Sequence, residues 1–334
     1  MAPSASTSGY DAAEVQFTHH DTRLAGVLLW PSQPGPHPAV VLLHGSGPVG
    51  RDGPGYLPPI REHFARNGIA ALCYDKPGIG GSTGDWTTQT FDDRAAEALA
   101  AVRFLQQQPH IDPGRVGLWG ASQGGWIGPL AATRSSNVAF VIAVSGPGIG
   151  VAAQYAYTVE HMLRLDGFPQ SQIEQALATV SRHLALLRRG AIDELLASQR
   201  AIAHEPWFAH LGGEDSEAEL RFMRAILDYD AVPVLERVRC PLLGIWGAGD
   251  VLVPAHRSAA LFAAALAKAG NDQFRLELFP GADHRIAVIE RGTGHEQVEW
   301  SPARRFAPGY LETMTGWLHQ SVFHTEAPNE GPAR

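Results

Sequence analysis

Ser122 lies in Gly120-Ala121-Ser122-Gln123-Gly124, directly after the apolar run Val116–Trp119 and directly before a helix-compatible stretch, Trp126–Thr133. A serine flanked by glycines at a strand-to-helix turn is the setting of a nucleophile elbow. The turn is too tight for Cβ atoms at the flanking positions, and it leaves the hydroxyl projecting from the sheet. A serine hydroxyl is a poor nucleophile near neutral pH, so this chemistry needs a histidine to take its proton and a carboxylate to orient the histidine. The chain order is then serine, acid, histidine. Both partners are present in that order. Leu242–Trp246 runs into Gly247-Ala248-Gly249-Asp250, and Phe274–Phe279 runs into Pro280-Gly281-Ala282-Asp283-His284. Each group falls just past the carboxyl end of a strand, where open α/β sheets assemble their sites. The chain between Asp250 and His284 has room for one crossover helix and one strand, so neighbouring strands can bring the two together.

Other residues compete for these roles. Gly80-Gly81-Ser82-Thr83-Gly84 repeats the serine pattern, but Pro77-Gly78 before it and Asp85 after it are loop chemistry, so Ser82 is read as part of a glycine turn. Asp283 is the rival acid, although bonding the imidazole of its own neighbour would need an unusual local geometry. His295, in Gly292-Thr293-Gly294-His295, is the rival base.

Acyl transfer develops a negative oxygen, which backbone N–H groups can hold. The residue after the nucleophile, Gln123, supplies one. The loop His44-Gly45-Ser46-Gly47, after the apolar strand Ala39–Leu43, supplies the other from Ser46, with Gly47 left open as its alternative. His44 is read as a prop for that loop. Taken alone, Gly45, Gly47 and Gly50 also match a dinucleotide fingerprint. That motif must open a helix, and Gly53, Pro54, Gly55, Pro58 and Pro59 forbid one there. There is no H-E-x-x-H and no phosphate-binding P-loop, and Lys76 and Lys268 are the only lysines. No cofactor and no metal is called for.

The elements that must position these groups follow from the pattern of the 334 residues. Short apolar runs at Val15–Thr18, Leu24–Trp30, Ala39–Leu43, Ile69–Tyr74, Val116–Trp119, Val138–Val144, Leu242–Trp246 and Phe274–Phe279 predict eight strands. Helical patterns near 58–67, 91–107, 123–134, 254–268 and 303–321 alternate with them, which predicts a mostly parallel, doubly wound α/β sheet. Residues 151–230 break the alternation. Ile173, Leu177, Val180, Leu184 and Leu187 form an apolar stripe at helical spacing, and a helical cap is expected there, with Tyr155, Tyr157, Trp207 and Phe208 over the mouth of an acyl pocket. The expected division is a loose N-terminus at 1–13, a core at 14–150 and 231–323, the cap at 151–230 and a loose C-terminus at 324–334. Charged residues are 18% and the net charge is −8, without a basic run. A nucleic-acid or anionic-membrane partner therefore lacks its electrostatic driving force. Cys73 and Cys240 are read as buried thiols, and without a leader-like N-terminus a cytoplasmic location is expected.

On the blocks HGSGPVGRDG, YDKPGIGGSTGD, GASQGGWIGPLAA, WGAGDVLVP and PGADHRI, the chain resembles the serine-dependent α/β-hydrolase superfamily over about residues 15–321. Within it, the chain is similar to bacterial esterases related to dienelactone hydrolases and acyl-peptidases. The resemblance implies a triad of Ser122, Asp250 and His284, an oxyanion hole from Gln123 and the Ser46 region, and a cap at 151–230. His44-Gly45-Ser46-Gly47 departs from the HGGG of lipase-like esterases, and the cap sequence points to no particular relative.

The function expected is hydrolysis of a carboxylic ester of a small, largely apolar substrate through an acyl-enzyme. The same residues would serve a thioesterase, an aminoacyl peptidase or a biosynthetic acyltransferase, and a ligand-binding protein without catalysis is the alternative of another class. Oligomeric state is not legible. Ser122→Ala is expected to lower kcat by at least about 10³-fold without unfolding the protein, measured with an activated ester beside a thermal melt.

Overall fold

In the computed structural model, residues 9–212, 216–290, 300–301 and 303–323 are described. The termini 1–8 and 324–334 lie outside them. Eight strands form a single sheet in the order β1-β2-β4-β3-β5-β6-β7-β8, namely β1 (Tyr10–His19), β2 (Thr22–Pro31), β3 (His37–Leu43), β4 (Ala70–Tyr74), β5 (Ile111–Ala121), β6 (Val141–Val144), β7 (Leu242–Gly247) and β8 (Phe274–Phe279). β1 and β2 pair antiparallel, as do β2 and β4, and every later pairing is parallel. β3, β4 and β6 are the expected uninterrupted apolar runs, and all but one of their residues are buried, because helices cover both faces.

Those helices are α1 (Leu57–Arg66), α2 (Phe91–Gln106), α3 (Gly124–Ala132), α4 (Val151–Leu165), α5 (Gln170–Arg189), α6 (Ile192–Ile202), α7 (Glu217–Ile226), α8 (Val232–Leu235), α9 (Ala255–Lys268) and α10 (Tyr310–Trp317). One face of the sheet packs on α2, α3 and α9 through Leu28, Val41, Leu118 and Trp246. The other packs on α1 and α10 through Val40, Trp119, Ile142 and Ile245. α4 to α7 sit between β6 and β7 and enclose an apolar cluster of their own, which includes Val159, Ile173, Val180, Leu187, Leu195 and Leu220. The stripe read from the sequence is the inner face of α5.

Three boundaries differ from expectation by five residues or more, one being β5, which begins at Ile111 and not at Val116. Residues 10–13, expected to be loose, extend β1 and pair with Leu28–Pro31. β1 is an edge strand with several exposed positions, so apolar content does not mark its start. The helix expected over 303–321 begins only at Tyr310. Before it, Phe306 bridges to Ala287, and Pro308-Gly309, with Gly309 at φ 83°, interrupts the chain ahead of the first turn. Cys73 is buried, whereas Cys240 is half-buried.

Ser82 has a structural use. Its Oγ accepts from Ala25 N at 3.0 Å and donates to Asp75 O at 2.8 Å, latching the loop after β4 onto β2. Removing the hydroxyl strands two backbone groups, each worth about 1 kcal/mol or more when unpaired. Ser82→Ala should therefore lower the unfolding free energy by about 1–2 kcal/mol in denaturant titration while leaving kcat within about twofold.

Candidate active site

β5 delivers Ser122. Its backbone adopts φ 52°, a left-handed conformation that costs a non-glycine residue about 1–3 kcal/mol. The turn is fixed from both sides: Ser122 N donates to Val144 O of β6 at 2.8 Å, and Ser122 O accepts from Gly125 N at 2.8 Å. The flanking glycines are a packing requirement. A Cβ on Gly120 would fall on the Gly124 carbonyl, and one on Gly124 would lie 2.6 Å from Leu43 O. The serine is thus presented at the junction of β5 and α3, beside the loop leaving β3.

β7 and β8 deliver the other two groups. His284 Nδ1 and Asp250 Oδ2 are 2.7 Å apart, and both side chains are nearly excluded from solvent. Asp250 Oδ1 accepts from Leu252 N (2.8 Å) and Val253 N (2.9 Å), so three bonds hold the carboxylate. Ser122 and His284 line one cavity of about 470 Å³ together with Gly45, Ser46, Tyr56 and Leu252.

Asp283, the rival acid, takes no part in that pair. Its Oδ1 accepts from Arg285 N (2.9 Å) and Ala287 N (3.0 Å), and its other oxygen accepts from Arg304. It clamps the turn that carries His284, in which Ile286 is held at φ 55°. His295, the rival base, lies outside the described residues. Ser145 was not singled out by the sequence. Its Oγ donates to the backbone carbonyl of His284 at 2.8 Å, and its own φ is 48°. The only signal was its position at the end of the β6 run. α4 also reaches the acid loop, where Gln154 Nε2 and Thr158 Oγ donate to Leu252 O at 2.9 and 2.8 Å.

Behind Ser46 and Gln123 lies a buried polar cluster that no motif marked. Lys76 Nζ donates to Gly45 O (2.6 Å) and Gly47 O (2.7 Å). Arg94 donates to the Gln123 side chain, and Gln89 donates to Glu97 at 2.7 Å. Burial pulls the Lys76 ammonium well below its ordinary range, with the Arg94 charge adding to the effect. Burial also pushes the Glu97 carboxyl up, against the pull of Arg94. His44 is fully buried, edge-on to Tyr74. Desolvation, then the charges of Lys76 and Arg94, hold its pKa well below the ordinary histidine value.

A second cavity, about 260 Å³, joins Ser46, Ser122 and Gln123 to Tyr155 and Thr158 of α4 and to Phe222, Met223 and Ile226 of α7. A third, also about 260 Å³, continues among Tyr155, Phe222 and Met223 toward Leu184, Leu187, Leu195 and Leu220, and it begins at Ser46 and Gly47. Tyr155 therefore stands at the boundary between them. Tyr157 instead stacks on His161, with its hydroxyl 3.4 Å from Asp250 O. Trp207 belongs to the apolar core of the helical segment and Phe208 is buried at the start of a short 3-10 turn, so neither walls these three cavities. Their sequence pattern is that of core aromatics, which a pocket aromatic shares. Among the described residues, no group of histidine, cysteine or acidic side chains is arranged to hold a metal, and no helix is long and apolar enough to cross a membrane.

The sheet order, the strained serine turn and the histidine–carboxylate pair at the ends of β5, β8 and β7 define an α/β-hydrolase. More narrowly, the profile of the serine aminopeptidase family (S33) matches residues 34–291, and the chain belongs to that family. It is 35% identical over 134 residues to the thiohydrolase aneE of Aspergillus aculeatus, which covers 40% of this chain and 41% of the relative. It is 26% identical over 235 residues to esterase EstD of Thermotoga maritima, covering 69% of this chain and 50% of the relative. The chain thus spans about two fifths to one half of the length of these curated relatives. Among solved structures, an esterase of Pyrococcus furiosus superposes with a TM-score of 0.63 at 17% identity, over 94% of this chain and 93% of that one. The α/β-hydrolase GrgF of Penicillium superposes with 0.55 at 22%, over 82% and 91%.

Asp250→Asn keeps an oxygen for Leu252 and Val253 N–H but turns an amide donor toward His284, which favours the wrong imidazole tautomer. A loss of about 10³–10⁴-fold in kcat is expected at an unchanged melting temperature. A rate within tenfold of wild type would remove Asp250 from the mechanism.

Proposed function

We propose that this protein is a serine hydrolase that cleaves a carboxylic ester of a small, largely apolar acyl group through an acyl-enzyme. The observation that carries this is the buried Asp250–His284 bond of 2.7 Å with its imidazole facing the same cavity as Ser122. Ser122 Oγ attacks the carbonyl carbon while His284 takes the proton. The tetrahedral oxyanion sits between the N–H groups of Gln123 and Ser46, and collapse expels the leaving group, which His284 protonates. Water then attacks the acyl carbon from the same side while His284 takes its proton, and the acyl–Oγ bond breaks to release the acid as His284 returns a proton to Ser122 Oγ. Asp250 holds the imidazole with Nδ1–H bound and Nε2 free, and stabilises the imidazolium that forms.

The cavity shapes support a direction for the substrate. His284 faces the wider cavity of about 470 Å³, so the leaving group, which His284 must protonate, belongs there. Gln123 faces the narrower cavity beneath α4 and α7, where Trp126, Val151, Phe222, Met223 and Ile226 favour an apolar acyl group. In this role the helices from α4 to α7 act as a cap, and Tyr155 is its pocket residue. A thioester is the second reading, favoured by the similarity to the thiohydrolase aneE. The site residues and both half-reactions are the same, and only the leaving atom differs.

A fluorophosphonate probe is expected to label wild type at Ser122 and to leave Ser122→Ala unlabelled. Absence of labelling together with silence against esters, thioesters and aminoacyl amides would favour a ligand-binding role instead. In a matched series of acyl lengths, Met223→Trp, which fills the passage between the two cap cavities, should lower kcat/KM for the longer acyl groups at least tenfold and spare acetyl esters. Each methylene fitted into such a pocket is worth about 1–3 kcal/mol. An unchanged length profile would place the acyl group elsewhere.

A further inference from the structure

Lys76 follows β4 and is 1% exposed, an unusual place for one of only two lysines in the chain. Its amine spans the turn after β3 by donating to Gly45 O and Gly47 O. The geometry of the peptide unit makes these two bonds informative. Gly45 C=O and Ser46 N–H belong to the same peptide, and in a trans peptide they point in opposite directions. An amine that grips the oxygen from one side therefore aims Ser46 N–H to the other. The Gly47 carbonyl belongs to the peptide of Pro48, which has no N–H, so the second bond anchors the loop without presenting a donor. Ser46 lines both cavities that contain Ser122, and Lys76 lines neither.

The lysine is itself held in place. Its backbone N–H reaches Val49 O at 3.4 Å, its ammonium lies 5.8 Å from the centre of the Trp86 ring, and the neighbouring Asp75 is tied to Arg51 N and to the Arg51 side chain. A neutral amine retains two N–H groups, so the two carbonyl bonds do not depend on charge. Arg94 makes the matching contact on the other donor residue, through the Gln123 side chain.

We propose that Lys76 is a positioning residue of the oxyanion hole: by holding the carbonyls of Gly45 and Gly47 it directs Ser46 N–H at the substrate carbonyl oxygen. This rests on the acyl-transfer reading above. It also takes Ser46 rather than Gly47, the choice that the sequence leaves open, because Gly47 lines neither of the cavities that contain Ser122. The bond from Ser46 N–H strengthens as that oxygen becomes negative, so its loss is felt in the transition state and hardly in ground-state binding.

The test compares wild type with Lys76→Met, which keeps the length of the side chain and removes its donors. With an ester turned over by wild type, kcat is expected to fall at least about 30-fold, somewhat less than the about 10²–10³-fold of a donor removed outright because Ser46 N–H is misaimed and not lost, with KM changed by less than about threefold. A trifluoromethyl ketone, which forms a tetrahedral adduct with the serine, should lose affinity by the same factor as kcat, whereas a merely loosened fold would not link the two. If Lys76→Met does not fold, Lys76→Gln, which keeps an amide donor on a shorter arm, is measured instead. A smaller loss is then expected, again with kcat and inhibitor affinity moving together. A folded variant with kcat within threefold of wild type, or with a change confined to KM, overturns the proposal. A wild type that is itself silent and unlabelled at Ser122 would overturn the functional reading, and this proposal with it, and is recognised because no variant is needed to see it.

Discussion

The site depends on backbone packed directly against backbone at the carboxyl end of β5. Ser122 is held in a left-handed conformation there, and Gly120 and Gly124 have no room for a side chain because the elbow folds onto itself and onto the end of β3. Strain of this kind persists only where the surroundings over-determine it. Here the determinants are the hydrogen bond to Val144 of β6 and the parallel pairing of β5 with β3 and β6. Because the elbow touches the loop after β3, the serine and the proposed oxyanion donors form one rigid unit, and the donors need no ordering when charge develops.

The remaining groups are held by polar contacts rather than by packing alone. Asp250 is fixed by two backbone N–H groups and the imidazole. His284 is fixed by Asp250 through its ring and by Ser145 through its carbonyl. Lys76, Arg94 and Glu97 are buried charges or near-charges, and such groups cost several kcal/mol to desolvate. A cluster of this kind adds little net stability; Lys76 and Arg94 bond the loop of Gly45 and Gly47 and the Gln123 side chain, and Glu97 accepts from Gln89.

Helices α4 to α7 have a separate apolar core and meet the sheet through few polar anchors, notably Gln154 and Thr158 on the acid loop. The cavities beneath them are bounded by flexible or edge-packed side chains such as Met223 and by Phe222, which packs edge-on to Trp86. The cavities are thus shaped by helices that stand apart from the strand ends, and a sheet of this kind does not fix one chemistry: the relatives carry names as different as thiohydrolase and esterase.

The residue string alone determined the strand–helix alternation and the positions of Ser122, Asp250 and His284. Each of these is a local pattern, an apolar run ended by glycines and one reactive group, that physics allows in few settings. It also separated Ser122 from Ser82, because turn chemistry on both sides of Ser82 leaves no strand to present it. The string did not determine the contacts of Ser145, Lys76 or Arg94, whose partners lie from about thirty to more than a hundred residues away and carry no periodic or motif signature, nor the tie from Asp283 to Arg304 that completes the clamp on its own turn. Nor could it sort aromatics that wall a cavity, such as Tyr155, from those that fill a core, such as Trp207, because both are buried apolar rings on helices. The extent of β1 was likewise set by pairing across the sheet, and the bridge of Phe306 to Ala287 adds to the local effect of Pro308-Gly309 in delaying α10. Only tertiary structure decides these, since hydrogen-bond partners and empty space are properties of which distant segments meet.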